Sequence, residues 1–149
     1  MERERPVLLG THKHTVDAKG RVVMPAGLRA ALAEGLVVTR GFDHCLYVFP
    51  REVFSRELAG LDPRDRSNLK ARDDARAVYT GASDLPLDGQ GRLLVPPHLR
   101  EYARLEKDVF VLGVGDHLEI WDSEAWARRQ AVIESRYADT DTGRREEAT

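Results

Sequence analysis

The chain is 149 residues long, 42% hydrophobic and 32% charged, with a formal net charge of −2 and a single cysteine, Cys45. That length carries a real core without staples, and one cysteine closes no internal disulfide. No apolar run approaches the roughly 18–20 residues that span a bilayer, and the run before Gly10 falls far short of a signal-peptide core, so a soluble cytoplasmic protein is expected.

In chain order, the first expected element is a hairpin. Val16 and Val22–Met24 flank Asp17-Ala-Lys-Gly-Arg21, with Gly20 suited to the positive-φ position of the turn. Pro25 then stands where a first helical turn tolerates a missing N–H, and a short helix follows over 26–33, turning Leu28 and Leu32 to the core. Strands over 36–39 and 45–49 come next, joined through Gly41 and Asp43. Pro50 opens a helix over 51–59, and Asp62-Pro63 with Asp65 opens another over 63–80. A second hairpin surrounds Asp88–Leu93, with Gly89 and Gly91 in its turn. Pro96 and Pro97 lead a helix over 97–105 that points Leu99 and Ala103 inward. Strands over 109–112 and 118–121 follow, with Gly113 and Gly115 between them. After Ser123 a last helix aligns Trp126, Ile133 and Tyr137 on one stripe. Beyond Tyr137 no apolar residue exceeds alanine, so a frayed, disordered tail is expected.

The elements recur because the sequence repeats. An offset of 71 lays DAKGRVVMPAGLR, from Asp17 to Arg29, on DGQGRLLVPPHLR, from Asp88 to Arg100. One further residue of offset sets Val37, Gly41 and Leu46 on Val109, Gly113 and Leu118. A unit of about 45 residues is too small to close a core alone, so the two copies should share one. Charge divides unevenly between them. Residues 1–50 hold seven basic and five acidic side chains, whereas residues 78–126 hold four and nine.

An Asp opening a tight turn accepts backbone N–H bonds, and an Arg four residues on can pair with it. Such a pair presents a fixed planar cation at a hairpin tip. Asp-x-x-x-Arg alone is weak evidence, since it also occurs at Asp62–Arg66 and Asp141–Arg145; the full pattern at repeat-matched positions is what counts.

The two D-x-x-G-R hairpins, the Pro-led helices and the strand pairs TRGFDHCLYVFPREVF and GVGDHLEIWDSEAW resemble the MraZ family of bacterial transcriptional regulators, over roughly Val7 to Arg136. The resemblance implies an α+β, mainly β fold: two tandem AbrB-like swapped-hairpin units sharing a pseudo-two-fold barrel core, with a helical insert and a C-terminal helix. It places the first, DNA-facing unit at 7–53, a helical connector at 54–79, the second unit at 80–123, and the C-terminal helix with its tail at 124–149. It implies binding to direct repeats in double-stranded DNA at the promoter of the division and cell-wall operon. It also implies assembly into closed rings of about eight to twelve subunits and association with the nucleoid. The family usually opens Met-Phe-x-Gly; here Val7-Leu-Leu-Gly10 stands in that place after MERERP, which suggests translation starting at Val7.

The first motif has the more basic company: His12, Lys13, His14, Lys19 and Arg29 surround Asp17, while Asp84, Leu85 and Gln90 replace Lys13, His14 and Lys19 in the second copy. If one hairpin faces DNA it is the first, through Arg21, Lys19, Lys13, Asp17, Arg29 and His14. Asp88, Gly91 and Arg92 then serve a structural or accessory role. A metal site at His12, His14, His44 or Cys45 lacks any zinc spacing, and Cys45 reads as a small core hydrophobe. No acid, base and nucleophile converge, so no catalytic residue, cofactor, small-molecule substrate or membrane contact is expected. An antitoxin-type DNA binder and a purely structural ring-former are the alternatives.

Overall fold

The computed structural model describes residues 7–57 and 60–148, with side chains for all but 57 and 141–148. Met1–Pro6, the residues that the suggested start at Val7 would remove, lie outside the described residues. The first half comprises β1 (Leu8–Thr15), β2 (Arg21–Val23), α1 (Ala26–Arg29, continued by a 3-10 turn at Ala30–Leu32), β3 (Leu36–Arg40), β4 (Leu46–Pro50) and α2 (Arg51–Glu57). The second comprises α3 (Leu69–Gly81), β5 (Ser83–Leu85), β6 (Arg92–Leu94), α4 (Pro97–Tyr102), β7 (Asp108–Gly115), β8 (Leu118–Asp122) and α5 (Ser123–Ala148).

Among the described residues the strands form an open antiparallel sheet in the order β1-β7-β8-β4-β3-β5, and β2 pairs with β6 in a separate two-stranded ribbon. Each expected hairpin makes its turn but exchanges its strands. β1 leaves its own unit to pair with β7, and β5 returns to pair with β3. The Val16–Val22 bridge and the bond from Asp17 N to Arg21 O still link the two arms of the first hairpin. Exchanging β1 with β5, β3 with β7 and β4 with β8 reverses the sheet order. A pseudo-two-fold therefore passes between Tyr47 and Glu119 in the sheet and between Val22 and Leu93 in the ribbon.

That symmetry corrects the repeat alignment in one strand. Leu36 and Val38 face the core from β3, as Val109 and Val111 do from β7, and Leu85 pairs with Leu36 where His14 pairs with Val109. The equivalent of Val109 is thus Leu36, not Val37; Val37 faces the other side of the sheet. Two extra residues between the Pro-led helix and β7 account for the difference, and Arg104, with φ 53, takes up part of them.

The units share one core, as their size requires. Val22, Met24, Leu28, Leu32, Leu36, Val38, Leu46 and Val48 join Leu93, Val95, Leu99, Ala103, Val109, Val111, Leu118 and Ile120 in a single cluster. The ribbon and the helices α1 and α4 close this inner face. A second cluster, Cys45, Leu112 and Trp121 with Tyr47, Phe110 and Trp126, lies on the outer face where α5 begins.

Three expected elements differ. Asp62 and Asp65 do not start a helix, because their carboxylates close local turns onto Arg64 N and Ser67 N; α3 starts at Leu69, capped by Asn68 on Ala71 N. Gly113 is not a turn residue but lies within β7 opposite Gly10, and the turn forms beyond it, where Val114 N bonds His117 O. Helix α5 continues to Ala148 instead of fraying after Tyr137, carried on from a nucleated helix through Asp, Thr and Gly143 before the better helix formers Arg, Glu and Ala. Its expected stripe is only partly used: Trp126 packs on Trp121 with ring centroids 5.4 Å apart, while Ile133 and Tyr137 are 42% and 81% exposed.

Candidate nucleic-acid interface

Both motifs fold into the same object. Asp17 Oδ1 accepts from Lys19 N and Arg21 N at 2.9 Å each, and Oδ2 accepts from Arg21 Nε at 2.7 Å. Gly20, at φ 85, lets its N–H reach Asp17 O at 2.9 Å, and Asp17 N returns to Arg21 O. Asp88 repeats this with Gln90 N, Arg92 N and Arg92 Nε at 2.9, 2.9 and 2.7 Å, with Gly91 at φ 72. The backbone bond from Arg21 N, then the Arg21 side chain and Lys19 N, holds the Asp17 carboxyl down to about 2. Asp88 is lowered by the matching donors, Arg92 N first. Each guanidinium is thus anchored at Nε, while its two terminal nitrogens have no partner among the described residues.

The ribbon puts both guanidiniums on one surface. Side chains alternate along a strand, so burying Val22 and Leu93 turns Arg21, Val23, Arg92 and Leu94 outward. Arg21 opposes Leu94 and Arg92 opposes Val23, which places the two arginines diagonally, about 7–8 Å apart across the pair. Val23 and Leu94 are 37% and 54% exposed between them. Two cations with free outer donors, flanking two exposed apolar side chains on a two-stranded ribbon, match what a major groove admits and displays.

The other expected site residues do not gather at the first turn. Lys19 is exposed on that turn, as expected. Lys13 is exposed but leaves β1 on the outer face of the sheet, opposite Phe110. His14 lies on the other face of β1, half-buried with His12, and its pKa is lowered by burial first, then by His12 and Arg29. Arg29, expected beside Asp17, lies instead against the second turn: a methyl group on Gly91 would stand 2.5 Å from its Nε, which donates to Met24 O at 2.9 Å. The strand exchange is the cause, because it brings each Pro-led helix under the other unit's hairpin. Arg100, absent from the expected set, lies under Gly20; its repeat match to Arg29 was the signal that could have found it.

Other reactive groups have local partners. Cys45 is buried and donates to Phe42 O, and burial pushes its thiol pKa well up. Among the described residues no three His, Cys, Asp or Glu side chains are placed to hold a metal, and no helix is long and apolar enough to cross a membrane.

A family model described as MraZ protein, antitoxin-like, matches residues 7–77 and again residues 78–145. The Transcriptional regulator MraZ of Micrococcus luteus is 44% identical over 135 residues, 91% of this chain and 94% of the relative. Those of Kineococcus radiotolerans and Carboxydothermus hydrogenoformans, with the same name, are each 44% identical, over 95% and 80% of this chain and 96% and 84% of their own lengths. With two tandem matches spanning nearly all of the strands and helices described above, the chain belongs to the MraZ family.

Proposed function

We propose that the chain is a sequence-specific DNA-binding transcriptional regulator acting at the promoter of the division and cell-wall operon. The observation that carries this reading is the ribbon face, on which two identically anchored arginines present unused donors to the outside. Arg21, with Lys19 beside it and Asp17 fixing its angle, reads base edges; Arg92 on the same face is accessory, because Gln90 replaces the lysine there. Lys13 reaches phosphate from the outer face of β1, and Arg29, with His14 against it, supports the second hairpin from beneath. Direct repeats of the site engage successive subunits of a closed ring, whose contacts cover the free edges of β1 and β5 and the exposed Val132, Ile133 and Tyr137 of α5. Such a ring gives a light-scattering mass several times 16.8 kDa. DNA as partner places the protein in the cytoplasm at the nucleoid, and no catalytic step is assigned to it.

Gel-shift titration on the duplex immediately upstream of its own gene tests the reading. Arg21→Ala removes a base contact worth about 1–3 kcal/mol per subunit, multiplied by avidity across repeats, and specific binding is lost. Lys19→Ala weakens all sequences alike and reduces the salt slope by about one per site. Arg92→Ala losing specificity while Arg21→Ala keeps it would reverse the assignment of the reading hairpin. A purely structural ring-former would leave the duplex unshifted at every salt concentration.

A further inference from the structure

At the two turns the pseudo-two-fold is kept in the backbone and broken in a side-chain hydrogen bond beneath them. Val95 N donates to Gly20 O at 2.9 Å, and Met24 N donates to Gly91 O at 3.0 Å, so each unit's Pro-led segment is tied to the other unit's turn. Arg29 and Arg100 then lie beneath Gly91 and Gly20 in matching places. A methyl on Gly20 would stand 2.8 Å from Arg100 Cζ and 2.9 Å from its Nε. Arg29 Nε is spent on Met24 O. Arg100 Nε is fully buried with no acceptor, and its guanidinium makes no hydrogen bond or ion pair among the described residues.

A guanidinium stays charged at any accessible pH, and a half-buried cation without an acceptor is costly. The nearby carboxylate cannot serve, since Asp17 already accepts from Lys19 N, Arg21 N and Arg21 Nε. Exposed Lys19 and the free outer nitrogens of Arg21 add positive charge on the same turn. That turn therefore lacks an anion that the protein does not supply. The geometry points to Arg100 as a phosphate-contacting residue of the first hairpin, contributed across the strand exchange by the second unit. The inference rests on the DNA-binding reading above and adds to it the phosphodiester that flanks the base read by Arg21. It also explains why the first hairpin is the stronger site: it has an untied arginine beneath it, whereas the second has a tied one.

The test uses the full chain with Arg100→Gln and Arg100→Met. Fluorescence anisotropy is read across a salt series on two labelled duplexes: the DNA immediately upstream of the gene, and a scrambled duplex of the same length. Affinity for both falls by about tenfold per engaged subunit. The preference between them holds, and the slope of log affinity against log salt becomes shallower by about one per engaged subunit. A partly unfolded variant lowers every affinity by one factor without changing the slope, so a wild-type slope in both Arg100 variants overturns the inference whatever their stability. Loss of preference at unchanged slope overturns it too, making Arg100 a support for the hairpin. If the wild-type chain binds neither duplex at any salt, the DNA-binding reading itself fails.

Discussion

Gly113→Ala tests the strand exchange on which the shared core depends. Gly113 sits in the middle of β7 opposite Gly10, and a Cβ there would stand 2.5 Å from the carbonyl carbon of Leu8 and 2.7 Å from that of Leu9. Both are backbone atoms, and the overlap is roughly 1 Å inside ordinary carbon contact, so no rotamer change relieves it. Either β1 shifts bodily, an overpacking cost of about 1–3 kcal/mol, or its first residues peel away. Peeling exposes Leu8, which is 2% exposed in the fold, and costs about 1.5–3 kcal/mol. Both routes lower the melting temperature by about 3–10 °C for a domain of this size. Thermal melts by circular dichroism give the shift, and hydrogen exchange at the Leu9–Thr11 amides locates it. The first hairpin, at the far end of β1, keeps its DNA affinity below the melt. A melting temperature within about 1 °C of wild type, with those amides still protected, would show that β1 does not lie on β7 in this register.

The ribbon centre gives a paired check: Leu93→Ala, fully buried opposite Val22, costs about 2–4 kcal/mol by chemical denaturation, whereas its neighbour Leu94→Ala, 54% exposed, changes stability by less than about 0.5 kcal/mol. Equal effects would mean that the ribbon's faces are assigned wrongly. A pH series addresses His117, which stacks on Phe49 and lies 2.7 Å from Asp116 and 3.6 Å from Glu119. Burial alone would lower its pKa, but the hydrogen bonds that its ring donates to the Glu119 and Asp116 carboxylates outweigh it and raise the value above the usual 6.5. A raised folded pKa contributes stability that is fully present below about 6.5 and is lost as pH rises through the folded value. The wild-type melting temperature therefore falls relative to His117→Gln as pH rises above about 6.5, and parallel curves would refute the pairing.

The turns and the inward-facing residues were legible because their causes are local. Asp17, Gly20 and Arg21 satisfy one another within five residues, and the same chemistry at Asp88 needs nothing from elsewhere. Leu28, Leu32, Leu99 and Ala103 follow from helical spacing after a proline, and all four are buried. What could not be read was set by the strand exchange. Nothing near Arg29 says that it lies under Gly91, or which of the neighbours Lys13 and His14 faces inward; both depend on β1 pairing with β7 across the repeat. The offset at β3 was misread for a related reason. Val37 and Leu36 are both buried, and only the pairing with β5 decides which of them looks inward.

A duplication within one chain lets geometry and charge diverge independently. Two identical chains would have to carry the same residue at both turns, whereas a fused pair can keep the turn and alter its surroundings. Here the donor distances to Asp17 and Asp88 agree to the tenth of an ångström, since each carboxylate must satisfy the same three N–H groups for the ribbon to form. The positions that make no demand on the turn have moved apart: Lys19 against Gln90, Lys13 against Asp84, and a free Arg100 against a tied Arg29. At the first hairpin this leaves one more cation, Lys19, and a guanidinium, Arg100, whose Nε has no acceptor. Under the DNA-binding function proposed above, that bias would orient the subunit on the phosphate backbone, leaving Arg21 to read base edges with Arg92 accessory to it.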